Sequence, residues 1–296
     1  MKYSIFDPTG NITALVESEV DPAMQPAAAA GIMNLHGNVE QVGFVRLPDE
    51  KYTDEIKDVC AELRMAGGEF CGNASMCAAA WYLLRNRQPD GSAQPEEETV
   101  LLRVSGVNKP VEVRLKRMSE YSFDAGICMP PALYTERVKF SAGGLNGTLP
   151  VVHLEGISHI IIEEDTGFLK LKEDPQLAEI TIPLWCRVLE ADGLGLMFLE
   201  KDSGSPEIAY RLTPLVYIPG SDTKVWENSC ASGTSAAGMF LAERAGRISE
   251  LSFSEPGGTL LVRSDPRSDE TWLYGKVAFH PSLSYTQQGM SLSTVQ

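Results

Sequence analysis

What is scarce in this chain narrows its function first. No apolar run approaches about 18 residues, so no transmembrane helix is expected. Positive charge is short: 25 Lys and Arg stand against 40 Asp and Glu, a net charge of −15. A nucleic-acid footprint needs clustered Lys and Arg, and so does an anionic membrane surface, so neither partner is expected. No Cys-x-x-Cys or His-x-x-x-His pair occurs, which speaks against a metal. No Gly-x-Gly-x-x-Gly follows a strand, which speaks against a dinucleotide. Residues 1–7 are too polar for a secretory signal, and six irregularly spaced cysteines do not read as a disulfide framework. Reduced thiols in a cytoplasm fit better.

What is present describes a globular protein. At 296 residues, 43% hydrophobic and 22% charged, the chain suits two domains, each able to bury its own core. Two short segments stand out, Glu69-Phe70-Cys71-Gly72-Asn73-Ala74-Ser75 and Glu227-Asn228-Ser229-Cys230-Ala231-Ser232-Gly233-Thr234-Ser235. Each puts a cysteine ahead of small and hydroxyl residues and then an alanine-rich helical run. Residues 74–85 read as one helix and 235–245 as another, with Gly246 as its C-cap. Both runs are apolar on nearly all sides, so both helices should be buried. Residues 42–45, 99–104, 111–115, 196–199 and 215–218 read as strands. Residues 10–17 and 156–163 both run from a glycine into an apolar strand ending in glutamate. The pattern is one structural unit used twice, with one thiol per copy. Two thiols facing each other suit the removal of a proton from one face of a carbon and its return to the other.

Cys60, Cys77, Cys128 and Cys186 fit the ordinary role of a small buried hydrophobe. Cys71 and Cys230 differ because each sits at a strand-to-helix junction, where a helix N-terminus is expected to lower the thiol pKa. Gly72, Asn73, Ala231, Ser232 and Gly233 cap and pack the two helices. Their unpaired backbone N–H groups would also hold one carboxylate between two positive helix ends. That arrangement would stabilise the charge that develops as a Cα proton leaves.

Cys71-Gly72-Asn73 resembles the first catalytic motif of the diaminopimelate epimerase and proline racemase superfamily, and residues 230–236 resemble the second, with Ala231 and Ser232 in place of Gly and Thr. Thr9-Gly10-Asn11 resembles the family's early Gly-Asn, and Gly156-Ile157-Ser158-His159 its Gly-Asn-Pro-His. The resemblance implies an α+β fold of two pseudo-symmetric domains, each a mixed sheet or barrel around a central helix. The implied domains are residues 1–131 with 276–296, and residues 132–275, the last strand crossing back to the first domain. Residues 282–296 read as a polar tail and 89–98 as an acidic loop. The resemblance further implies a two-base racemase or epimerase that needs no pyridoxal phosphate or other cofactor, with an amino acid as its small-molecule partner and a homodimer as the common assembly. His159 is implied to tune the neighbouring thiol by a hydrogen bond, and Asn11 to touch substrate.

Departures from the diaminopimelate pattern bear on the substrate. Ile157 replaces an asparagine, and residues 220–226 lack the arginine that would hold a distal carboxylate. Asp222 or Glu227 could hold an α-ammonium there. Ile157 and Trp226 beside the side-chain pocket suit a flatter, less charged side chain, which resembles the histidine racemase branch and implies histidine. Diaminopimelate epimerisation, a phenazine-biosynthesis-type isomerase and a non-catalytic amino-acid binding protein of the same fold are the rival readings.

Overall fold

Runs rich in Val, Ile, Leu and Phe recur between turns, and they build a largely β molecule. The computed structural model describes residues 1–48, 58–86, 96–205, 207–220, 222–283 and 285–286. The first half of the chain supplies β1 (Lys2–Pro8), β2 (Thr13–Val16), α1 (Gln25–Leu35), β3 (Gln41–Arg46), β4 (Ala61–Met65), α2 (Gly72–Arg85), β5 (Glu97–Val104), β6 (Val111–Arg117) and β7 (Ser122–Met129). The second supplies β8 (Tyr134–Ala142), β9 (Leu145–Leu154), β10 (Ile157–Glu163), α3 (Pro175–Val188), β11 (Leu194–Lys201), β12 (Tyr210–Ile218), β13 (Thr223–Trp226), α4 (Ala231–Ala245), β14 (Ser249–Glu255), β15 (Gly258–Asp265) and β16 (Glu270–Phe279). All five strands read from sequence lie within these elements.

The order of pairing repeats. β1–β2 is antiparallel, β2–β3 parallel, β3–β4 antiparallel, β4–β5 parallel, and β5–β6 and β6–β7 antiparallel. The same sequence of steps runs through β9–β10, β10–β11, β11–β12, β12–β14, β14–β15 and β15–β16. Each parallel step requires a crossover, and the helices supply it: α1 and α2 in one half, α3 and α4 in the other. β16 belongs to both halves. It pairs with β15, runs beside β7 from Thr271↔Met129 to Ala278↔Ser122, and ends against β1 at Phe6↔Phe279. Strands β1 to β7 and β16 therefore close a ring, and α2 touches every one of them.

The central helices are buried on every side, as their uniformly apolar sequences require. In α2 residues 72–81 and Leu83 are buried; in α4 residues 231–238 and 240–242 are. One core holds both helices, with Phe6, Leu15, Leu102, Phe123, Val262 and Leu273 among the strand residues around them. Each such side chain stabilises the fold by about 1.5–3 kcal/mol. Separate cores lie under α1 and α3 on the outer faces of the sheets. Both central helices begin earlier than the sequence reading placed them, at Gly72 and Ala231, because the cysteines themselves take the extended N-cap positions. Gly246 ends α4 in the left-handed conformation at φ 62°. Most of the expected tail at 282–296, and most of the expected loop at 89–98, lies outside the described residues.

Candidate active site

The N-termini of α2 and α4 meet at the middle of the molecule. A methyl placed on Gly72 would lie 2.9 Å from the Cβ of Ala231, so the first residues of the two helices are in direct contact. Asn73 crosses the junction and donates from Nδ2 to the carbonyl of Ser229 at 3.1 Å. The cleft above this junction has a volume of about 630 Å³. Its walls include Cys71, Gly72, Asn73, Cys230, Ala231 and Ser232. Pro26, Ala30 and Met33 of α1 close one side and Ile157, Val216 and Ile218 the other.

The two cysteines occupy matching places. Each is extended, at φ −136° for Cys71 and −125° for Cys230, and each stands at the N-cap position of its helix. Cys71 Sγ accepts from the Ala74 N–H at 3.4 Å and lies 2.9 Å from Gln41 Oε1. Cys230 Sγ makes no such capping bond, although the nearby Gly233 N–H opposes the rise of its pKa. The helix-end donor does not decide the charge of either thiol. Burial pushes Cys71 up to about 12, with Glu227 and Glu69 adding to the effect and the Ala74 N–H opposing it. Burial also pushes Cys230 well above the usual thiol range, aided by Glu227 and Glu255. The expectation of a lowered thiol pKa is thus reversed: one backbone donor is outweighed by desolvation and by nearby carboxylates.

His159 is fully buried at the start of β10 and does not bond a thiol directly. Its Nε2 lies 3.0 Å from Ser232 Oγ, which in turn lies 3.7 Å from Cys230 Sγ. Ser232 is therefore the link between imidazole and thiol. Burial holds the His159 pKa down to about 3, so the ring is neutral.

Four carboxylates surround the junction. Glu40 accepts from Asn11 Nδ2 at 2.8 Å and from both the backbone N–H and the side-chain amide of Asn228, tying the two halves together. Burial raises its pKa, and that of Glu69 as well. Glu227 lines the cleft beside Cys230, and burial, with repulsion from Glu40, Glu255 and Glu69, pushes it up to about 8. Glu255, at the end of β14, accepts from the Cys230 N–H at 3.1 Å and from Thr234 Oγ1 at 2.5 Å. Arg64 is the one cation among the described lining residues, and it faces Glu69.

Sequence reasoning placed some residues wrongly. Asp222 is not on the cleft wall: it sits in a turn at φ 49°, its side chain 78% exposed, 3.6 Å from Lys224. Gly233 lies behind the wall, packed against Met197 and the Cys230 thiol. Trp226 turns away, bonding Glu179 at 3.0 Å and stacking on Phe198. Asn11 is on the wall but its amide is taken by Glu40 and Gln41. Glu40, Gln41 and Glu255 went unnoticed. Each lies on or beside a strand, where one inward polar residue looks like ordinary alternation. Among the described residues no three His, Cys, Asp or Glu are grouped to hold a metal ion.

The arrangement matches known proteins over nearly its whole length. Residues 1–277 match the family model described as the histidine racemase CntK N-terminal domain. A histidine racemase of Fusobacterium nucleatum subsp. nucleatum is 31% identical over 280 residues, 92% of this chain and 91% of that protein. A histidine racemase of Staphylococcus aureus is 26% identical over 266 residues, 89% and 88% of the two chains. Among solved structures, a hydroxyproline epimerase from Agrobacterium vitis with bound trans-4-hydroxy-L-proline has a TM-score of 0.61 at 14% identity, covering 97% of this chain and 91% of that one. A probable proline racemase from Agrobacterium radiobacter scores 0.64 at 12% identity, covering 98% and 93%. At such identities these two show the fold, which is the two-domain arrangement implied by the cysteine motifs. The chain is an isomerase and belongs to the family of the histidine racemase CntK N-terminal domain.

Proposed function

We propose that this isomerase inverts the α-carbon of free histidine without a cofactor, Cys71 and Cys230 acting as the base and the acid. The observation that carries the reading is the meeting of two helices, each with a cysteine at its N-cap position, through Gly72 and Ala231, at the floor of one cleft. The unpaired N–H groups of residues 72, 73, 231 and 232 would hold the substrate carboxylate between two positive helix ends. Glu227 would hold the α-ammonium. An ammonium bound there favours the carboxylate and helps one proton to leave the thiols, giving the thiolate and thiol that a two-base exchange needs. His159 would act on Cys230 through Ser232. Asn11, whose amide is occupied, would shape the wall rather than bind.

The lining favours an imidazole over an acidic side chain. Three carboxylates, Glu40, Glu69 and Glu227, face a single arginine already opposed by Glu69. A distal carboxylate such as that of diaminopimelate would add like charge to this wall. The apolar faces of Ile157, Val216 and Ile218 suit a flat ring. We also place the domain boundaries at residues 1–131 with 276–296 and 132–275. We assign the protein to the cytoplasm as a homodimer, in keeping with six free cysteines. No helix of the described residues is long and apolar enough to cross a membrane.

The test is proton NMR in heavy water with reductant. Histidine, diaminopimelate, proline, lysine, glutamate and aspartate are offered separately. The α-proton signal of histidine should disappear, and Cys71→Ser and Cys230→Ser should each abolish racemisation. Exchange of a different amino acid alone would overturn the substrate. Exchange at the wild-type rate in either serine variant would overturn the mechanism.

A further inference from the structure

The two thiols are not equivalent, and the difference lies in one buried side chain outside the cleft wall. Glu255 ends β14, pairs through that strand with β12 and β15, and is 6% exposed. Its carboxylate reaches under the first turn of α4. One oxygen accepts the backbone N–H of Cys230 itself, at 3.1 Å; the other accepts the Thr234 hydroxyl, at 2.5 Å. Neither donor is a cation. Thr234 also donates to the Cys230 carbonyl at 2.7 Å, so the residue that carries the thiol is held at both its N–H and its C=O. In the first half, β5 pairs with β4 as β14 pairs with β12, and the residue after the end of β5 is Ser105. That serine is neutral and bonds the Met65 N–H and the Glu69 carbonyl rather than Cys71. The side-chain partner of Cys71 is likewise neutral, the Gln41 amide.

We propose that Glu255 is a positioning residue that fixes Cys230 at the N-terminus of α4. Once ionised, it sets a negative charge against the positive helix end and keeps Cys230 the more firmly protonated of the two thiols. Cys71 is then the thiol that gives up its proton first, and each catalytic cycle starts from a Cys71 thiolate and a Cys230 thiol. The other charged groups near this corner are Glu227, beside Cys230, and Glu40 and Glu69 across the cleft. All are acidic, and the one cation among the described lining residues, Arg64, faces Glu69 rather than Glu255. The electrostatics stand whatever the substrate proves to be; only the order of proton transfer rests on the racemase reading.

Alkylation of each cysteine by iodoacetamide, resolved by peptide mass spectrometry, tests this in the full chain without substrate. The rate follows the thiolate fraction. Glu255→Gln keeps the shape and removes the charge. Near pH 9 it should raise the Cys230 rate about tenfold or more, the size expected when loss of a nearby buried charge lowers a thiol pKa by about one unit or more. The Cys71 rate should stay within about twofold. Glu255→Asp, which restores the charge, should return Cys230 toward the wild-type rate. An unchanged Cys230 rate, or an equal rise at both cysteines as a loosened core would give, overturns the proposal. Because no turnover is read, the outcome is independent of whether histidine is the substrate.

Discussion

Replacing Gly72 with alanine probes the helix junction directly. The added methyl would sit 2.9 Å from Ala231 Cβ and 3.2 Å from Met129 Sδ. Carbon–carbon contacts are ordinarily closest to optimal near 3.5–4.0 Å. The neighbours have little freedom, because Asn73 bonds Ser229 and Glu255 bonds the Cys230 N–H. Overpacking of this kind costs about 1–3 kcal/mol, while alanine returns at most about 1 kcal/mol of helix propensity. A net loss of about 1–2 kcal/mol corresponds to a fall in Tm of roughly 2–8 °C for a chain of this size. The effect on turnover should be larger than the effect on folding. A shift of about 1 Å between the helix ends moves both thiols and the carboxylate donors, and misplacement on that scale can cost about 100-fold. The informative control is the swap, Gly72→Ala with Ala231→Gly, which moves the methyl from one helix to the other. It should recover about 1 kcal/mol or more relative to Gly72→Ala alone, and most of the exchange rate. Calorimetry and α-proton exchange in heavy water read both quantities. Wild-type stability and rate in Gly72→Ala, or a swap no better than the single variant, would refute the idea that this contact sets the thiol spacing.

Two further outcomes follow from the buried ionisable groups. His159 refuses a proton until about pH 3, whereas an unfolded imidazole takes one near 6.5. Stability contributed by the neutral ring is therefore present above about pH 6.5 and lost as pH falls toward 3, at up to about 1.4 kcal/mol per pH unit. Glu227 and Glu255 have the opposite sign: their folded carboxyls keep protons up to about 8 and 7, favouring the fold at low pH. Urea titrations from pH 5 to 6.5 should show stability falling more steeply with rising pH in His159→Gln than in wild type, because the opposing slope of the imidazole is gone; parallel profiles would rule out a buried neutral ring. If Glu227 receives the ammonium, KM for histidine should fall as pH rises from 7 toward 8. Glu227→Gln should remove that dependence and raise KM by about tenfold or more; a KM with unaltered pH dependence would exclude Glu227.

The sequence carried much of this arrangement and missed a definable part. Cysteine followed by small residues and an alanine-rich run located both central helices, since close packing is a local requirement, but placed their starts at 74 and 235 rather than at Gly72 and Ala231. The apolar alternation located the strands for the same reason. The charge state of the thiols was misjudged because a helix N-terminus is visible in sequence and desolvation is not. Asp222 and Trp226 were placed near the site by proximity along the chain, but the turn at Asp222 and the outward face of β13 carry both away. Glu40 acts on Asn228, 188 positions away in the other half, and Glu255 on Cys230, 25 positions back in the same half; neither separation leaves a local pattern in the sequence. α3 escaped notice although Asp174 and Pro175 form a clear start signal, because the capping pair is followed by an interior Pro183.

The shared strand β16 has a consequence for how the chain is made. A nascent chain that has released residues 1–131 already contains Cys71 and the whole of α2, yet β7 and β1 both lack the neighbour that covers their outer edges. That neighbour is synthesised about 150 residues later, which at roughly 5–20 residues per second is a delay of about 8–30 s. For that interval two strands with exposed backbone groups wait open, a state that invites pairing with other chains. The same connection means that the two halves cannot be separated by cutting the chain once: a break between β7 and β8 leaves the first half without its closing strand and the second half holding it.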